Sequence, residues 1–340
     1  MKNKITLIAE AGVNHNGSIK IAKKLVDIAK EANSSFVKFQ TFKAENLVTI
    51  NGPKAKYQKT SSKNKETQFE MLKKLELNYN DHINLIDHCN KKKINFLSTP
   101  FDEDSFLLLK NLEQKVYKIS SSDLNNYPFL EFISKNSSTN FQVILSTGMS
   151  SINEVKKAVK YLTKYKIRLK NISILHCTSN YPASLASLNL YSIKYLKKIF
   201  KHNEIGYSDH TIDDLASILA VGLGARIIEK HFTIKQNMLG PDHKASLPEK
   251  NFINFAKKIL GLPLALGIKN QKKPSKDEIE MLKIARKSIF AKLSIKKGEK
   301  FTHSNLTLKR PNSGLQPEDY FELIGKISKR NYKKDEQIKK

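Results

Sequence analysis

The chain alternates two hydrophobic rhythms. Short β-rich apolar runs recur, each followed by a polar loop and then by an amphipathic stretch with helical spacing. The runs are ITLIAE (5–10), FVKFQ (36–40), NFLST (95–99), VYKIS (116–120), QVILS (142–146), ISILHC (172–177), EIGYS (204–208) and RIIEKH (226–231). Between them lie stretches such as IKIAKKLVDIAKEA and SINEVKKAVKYLTKY, and PEKNFINFAKKILGLPLALG follows the last run. Eight strand–helix units in about 270 residues predict an α/β fold, a (β/α)8 TIM barrel. A doubly wound open sheet is the competing arrangement, but no GxGxxG turn follows the first strand.

After Gly267 the texture changes. IKNQKKPSKDE is polar and proline-interrupted, and beyond it come short β-type runs with turns at KKGE and NSG. The expected organisation is a barrel over residues 1–270, a linker over 271–283, and a small β-rich domain over 284–340 without a long amphipathic helix.

In a (β/α)8 barrel the chemistry sits where the strands end and the βα loops converge. Nearly every predicted strand here ends in polar residues, and packing alone does not ask for that. His210 and His231 end neighbouring strands, so two imidazoles with open positions beside them fit a divalent ion such as Mn²⁺ or Mg²⁺; a structural role is the alternative. Lys38, Thr99, Lys118, Ser121, Ser146 and Ser208 offer ammonium and hydroxyl donors for a phosphate, unless the hydroxyls merely terminate strands. Glu10, Asp123 and Asp242 are candidates for ordering sugar hydroxyls or moving a proton. Asp209 reads as structural, and His176 either positions a substrate oxygen or packs within the barrel.

Composition narrows the class. A hydrophobic fraction of 39% supports a packed core. The N-terminal apolar run is too short for a signal segment and no stretch approaches a membrane span, so a cytoplasmic protein is expected. Cys89 and Cys177 sit in no CxxC pattern, and His176 beside Cys177 points to the opposite face of a strand, against a thiol catalyst. The net charge of +28 comes almost wholly from lysines spread over the chain, with arginine only at 168, 226, 286, 310 and 330. A nucleic-acid reader clusters its charge and uses arginine forks, so neither nucleic acid nor membrane is an expected partner.

With these residues assembled, the chain resembles the sialic acid synthase family, the phosphoenolpyruvate-condensing enzymes that make nonulosonic acids. The similar blocks are IAEAGVNHNGS, VKFQTF, STPFD, KISSSDLNNYP, ILSTGMSSINEV, LHCTSNYPA, GYSDHT, GARIIEKHFT and GPDHKASL. The tail resembles that family's antifreeze-like (SAF) domain through ARKSIFAKLSIKKGE, NLTLKRP and LIGK. The resemblance implies a transferase joining phosphoenolpyruvate to an N-acylated mannosamine-type sugar, with release of phosphate. It implies that His210 and His231 hold a divalent metal, and that Lys38, Thr99, Lys118, Ser121, Ser146 and Ser208, with Ser179 nearby, hold phosphoenolpyruvate. Gln40, Tyr181, Asp123 and Asp242 would contact the sugar, and Glu10 would order water or move a proton. Arg310 would act from a partner subunit's tail in a domain-exchanged homodimer.

Two positions depart from the sialic acid-forming pattern: Asp123 stands for glutamate and Ser179 for asparagine. Both leave space, which suits a 2,4-diacetamido-6-deoxy sugar and a legionaminic-type product. His176 and GPDH fit the sialic and legionaminic branches better than the alternative pseudaminic acid synthases. Two other classes remain in view: a metal-dependent pyruvate aldolase on the same barrel, and a non-catalytic basic binding protein.

Overall fold

The computed structural model describes residues 4–54, 66–267 and 272–339, divided into two compact units, Met1–Ile268 and Lys269–Lys340. In the first unit eight parallel strands run β1 (Thr6–Gly12), β2 (Phe36–Thr41), β3 (Asn95–Pro100), β4 (Val116–Ile119), β5 (Gln142–Ser146), β6 (Ile172–Cys177), β7 (Glu204–Asp209) and β8 (Ile227–Thr233). Their spatial order is β3-β2-β1-β8-β7-β6-β5-β4, and β3 and β4 lie side by side at the ends of that path, so the barrel is nearly closed. The expected strands match to within two residues at each end.

No ladder joins β3 to β4, and a side chain fills the gap. Gln114 accepts from the Ser98 backbone N–H and donates to the Ser98 carbonyl, both at 2.9 Å. Its amide does what the backbone of a neighbouring strand does elsewhere, so β3 buries no unpaired polar group at Ser98.

Period-two alternation builds the interior. Ile8, Leu97, Ile144, Leu175 and Ile227, with Phe36 and Val116 packed against them, form an apolar plug inside the barrel. Two residues further along each strand the inward position turns polar: Glu10, Lys38, Thr99, Lys118, Ser146, Cys177 and Glu229. On β7 the plug position is Gly206, where a Cβ would overlap Leu175 and the backbone of Ile227. The outward residues, among them Leu7, Val37, Phe39, Tyr117, Val143, Leu145, Ile174 and Ile228, meet the helices in the main core.

Among the described residues, six α-helices of this unit begin where a side chain satisfies one of their first N–H groups. Ser18, Asp102 and Asn126 cap Ile19–Glu31, Glu103–Asn111 and Tyr127–Asn136. Thr67 with Glu70, Asn78 with Asp81 and Ser151 with Glu154 form reciprocal capping boxes. No helix among the described residues is long and apolar enough to cross a membrane.

The second unit pairs β9 (Ser288–Ala291) antiparallel with β10 (Leu306–Lys309) over a small core of Ile289, Ile295, Phe301, Leu306, Tyr332 and Ile338. Here the structure differs from expectation. Most of the stretch read as a linker is the helix Lys276–Ala285, started by a Ser275–Glu278 capping box. Lysines and the nearby proline hid it, because its stop and start signals sit in a polar run with no buried residue to mark a face.

Candidate active site

The polar strand ends enclose a cavity of about 860 Å³. Glu10, Lys38, Gln40, Thr99, Lys118, Ser121, Ser146, Ser179, Tyr181, Ser208, His210, His231 and Asp242 all line it. Asp123 is buried in the turn Ser121–Asp123, but it is not among the lining side chains; its carboxylate accepts from Asn126 and Ser122 at 3.5 Å. Arg310 belongs to the second unit and is exposed directly after β10.

Two buried lysines organise the floor. Lys38 Nζ lies 3.0 Å from Glu10 Oε2, 3.1 Å from Thr99 Oγ1 and 3.6 Å from Glu229 Oε2. Lys118 Nζ donates to Ser146 Oγ at 2.6 Å and lies 3.8 Å from Glu229 Oε1. Glu229 also accepts from Ser208 Oγ at 2.8 Å, so one carboxylate is shared by both lysines and a serine. Strand-end reading placed it on the polar rim but gave it no role. Its signal was the alternation itself, since a residue two before His231 on β8 must share its face. Lys230 between them faces outward, 3.0 Å from Asp209, which also accepts from Thr211 and Ser217. Asp209 is therefore structural.

The shared burial splits the carboxylates. Burial pushes Glu10 up to about 7, helped by the charge of Glu229 and opposed by Lys38. Burial would raise Glu229 too, but Lys118 and Lys38 outweigh it and hold it far below the usual range. Burial also lifts Asp242 and Asp123 to about 6 each. Lys118 is lowered by burial, whereas for Lys38 the loss of solvent is outweighed by Glu10 and Glu229 and its pKa rises. Carboxyls near neutrality beside buried ammonium groups suit proton transfer around a bound anion.

His210 and His231 stand together, ring centroids 5.6 Å apart, with the Tyr181 ring 4.1 Å from His210 and 5.7 Å from His231. Burial drives both imidazoles to low pKa, His210 to about 4, so both are neutral at pH 7. His210 Nδ1 is bonded to the Thr178 carbonyl at 2.7 Å, which leaves Nε2 toward Ser208 at 3.4 Å. His231 Nδ1 is buried with no hydrogen-bond partner, 4.0 Å from Asp242 Oδ2. Neutral rings, one with an orphaned buried nitrogen, fit a divalent cation. Among the described residues no cluster of three or more His, Cys, Asp or Glu completes a protein-only ligand set. The pair fits a cation that leaves positions open for substrate oxygen or water.

Neighbouring histidines serve other ends. His176 points out of the barrel, its Nε2 at 2.7 Å from the Leu188 carbonyl and its ring stacked on Tyr207. His243 of GPDH bonds Thr233 at 2.6 Å and Asn16 at 3.1 Å, which shapes the loop that presents Asp242. Cys177 lines the cavity with Sγ 3.1 Å from Ser121 Oγ.

Residues 25–271 match the NeuB family and residues 286–340 the SAF domain. The chain belongs to the NeuB family. It is 46% identical over 99% of its length, and 99% of the other, to N,N'-diacetyllegionaminic acid synthase of Campylobacter jejuni. It is 41% identical to the Legionella pneumophila protein of that name, over 94% and 89% of the two chains. A pseudaminic acid synthase of Campylobacter jejuni is 32% identical over 99% and 96%. Among solved structures, the N-acetylneuraminic acid synthetase of Leptospira borgpetersenii superposes with a TM-score of 0.70 at 31% identity, covering 82% of this chain and 90% of that one. The barrel followed by an SAF domain is thus the family's architecture, and the relatives are sugar acid synthases.

Proposed function

We propose that the chain is a nonulosonic acid synthase that condenses phosphoenolpyruvate with 2,4-diacetamido-2,4,6-trideoxymannose to give N,N'-diacetyllegionaminic acid and phosphate. The observation that supports it best is one cavity shared by two buried lysines, their hydroxyl partners and two neutral imidazoles. The two most similar relatives described above bear the legionaminic name, which favours that product over the sialic and pseudaminic ones.

In this reading the phosphate and carboxylate of phosphoenolpyruvate take Lys38, Lys118, Thr99, Ser121, Ser146 and Ser208, with Ser179 beside them. The arriving anion competes with Glu229 and Glu10 for the ammonium groups. Gln40, Tyr181 and Asp242 orient the sugar hydroxyls, while Asp123, which does not line the cavity, holds the Ser121–Asp123 turn through Ser122 and Asn126. A divalent cation, Mn²⁺ or Mg²⁺, held by His210 and His231, supplies Lewis-acid polarisation of the sugar aldehyde when bound. The C2=C3 π pair of phosphoenolpyruvate forms the bond from C3 to the aldehyde carbon, and the aldehyde oxygen takes up a proton to become a hydroxyl. Water adds at C2 with loss of a proton, and cleavage of the C2–O bond releases phosphate and leaves the keto acid. Glu10, near neutrality, orders that water and takes its proton.

The proposal extends to a cytoplasmic, domain-exchanged homodimer in which Arg310 in LKRP serves a second copy's barrel, as the resemblance implies. Mixing an Arg310→Ala chain with a His231→Ala chain, each inactive alone, restores turnover if the residues act across copies. The central test is mass spectrometry of products from phosphoenolpyruvate, the diacetamido sugar and Mn²⁺. Phosphate release is expected only with all three present. Equal turnover with pyruvate in place of phosphoenolpyruvate would replace the synthase with an aldolase.

A further inference from the structure

A second cavity, about 770 Å³, lies beside the first at the ends of β5 and β6. The two share Met149, Cys177 and Ser179 as walls. Nothing in the condensation described above uses the second one.

Its lining mixes two chemistries. Val155 and Leu196 give apolar surface from the helices Ile152–Leu162 and Tyr191–Ile199, while Thr178 and Ser192 give hydroxyls. His176 joins them with Nε2 committed to the Leu188 carbonyl. Donation from Nε2 makes Nδ1 the bare, accepting nitrogen of the ring, and no protein donor meets it among the described residues. A pocket that offers an acceptor, hydroxyl donors and a small apolar wall matches an acetamido group, which has an N–H, a carbonyl and a methyl.

We infer that this second cavity is the subsite for the second acetamido group of a diacetamido sugar, reached past Ser179. The inference rests on the synthase reading above. The product named for the Campylobacter and Legionella relatives carries two N-acetyl groups, whereas that named for the Leptospira protein carries one. A sugar with a second acylated nitrogen needs a second place for it. Ser179, a small polar side chain, lies on the wall common to both cavities.

The test fills the pocket without touching the first cavity. Ser192→Phe does so from the helix side, and Ser187→Trp does so from an exposed position where folding is not at stake. Either variant should lower kcat/KM for 2,4-diacetamido-2,4,6-trideoxymannose by roughly 10–200-fold, the range for one rejected small group, with the KM for phosphoenolpyruvate unchanged within about twofold. Retained kcat/KM in both variants overturns the inference, and so does an equal rise in the phosphoenolpyruvate KM, which a general structural effect would cause. A wild-type chain that makes no product from any N-acyl mannosamine-type sugar would sink the synthase reading itself. Failure of the variants alone leaves that reading standing.

Discussion

Replacing Glu229 with Gln keeps the shape of the side chain and the Ser208 contact but removes the charge that both cavity lysines share. The separations are 3.6 Å to Lys38 and 3.8 Å to Lys118. At an effective dielectric near 20, each contact is worth about 4 kcal/mol of Coulomb attraction before desolvation is counted. Relief of the buried carboxylate's desolvation offsets part of that, and breaking a buried pair by removing one partner costs about 3–5 kcal/mol net. For a unit of this size about 2 °C accompanies each kcal/mol, so the unliganded variant should melt roughly 6–10 °C below the wild type. On the proposed reading, inorganic phosphate competes with Glu229 for the same two ammonium groups. Scanning calorimetry with and without saturating phosphate should therefore show a larger stabilisation in Glu229→Gln than in the wild type. A melting point within about 1 °C of the wild type, or equal phosphate stabilisation in both, would refute the claim that Glu229 is the lysines' resident counterion.

Three further outcomes are expected. Glu10 binds its proton more tightly folded than unfolded, so its contribution to stability is complete below pH 4.5 and is lost as pH rises through about 7. Glu10→Gln should flatten that segment of the stability curve and remove the ionisation near pH 7 from the pH dependence of kcat/KM; an unchanged profile assigns the ionisation elsewhere. Gln114→Leu leaves the Ser98 N–H and C=O unpaired at the β3–β4 seam and should cost about 2–4 kcal/mol in urea denaturation. A loss below about 0.5 kcal/mol would mean the seam pairs in another way. His231→Ala should keep the circular dichroism spectrum, lose Mn²⁺ binding by calorimetry and lose condensation; full turnover in that variant would remove the metal assignment.

Much of the fold was legible because the information is local. A strand with a core on both faces reads as an apolar run, and the switch to Glu10, Lys38, Lys118 and Glu229 two residues after a plug residue is a period-two event along one strand. Eight such runs, each followed by a helical stretch, determined the barrel and the rim on which polar side chains gather. The helix Lys276–Ala285 escaped because it buries no face that a periodicity would mark.

Pairing between strands was beyond local pattern. Sequence placed Glu229, Lys230 and His231 side by side; only the β7–β8 register sent Lys230 to Asp209 and brought Glu229 to Ser208. It listed His176 with the rim, while the pleat turned that ring outward against Tyr207 and the second cavity. Side-chain period is set by the chain itself, so it can be read from the chain. Which acid neutralises which lysine, and which imidazole keeps an unpartnered nitrogen, depend on distances between residues far apart in sequence, and those exist only once the barrel has closed.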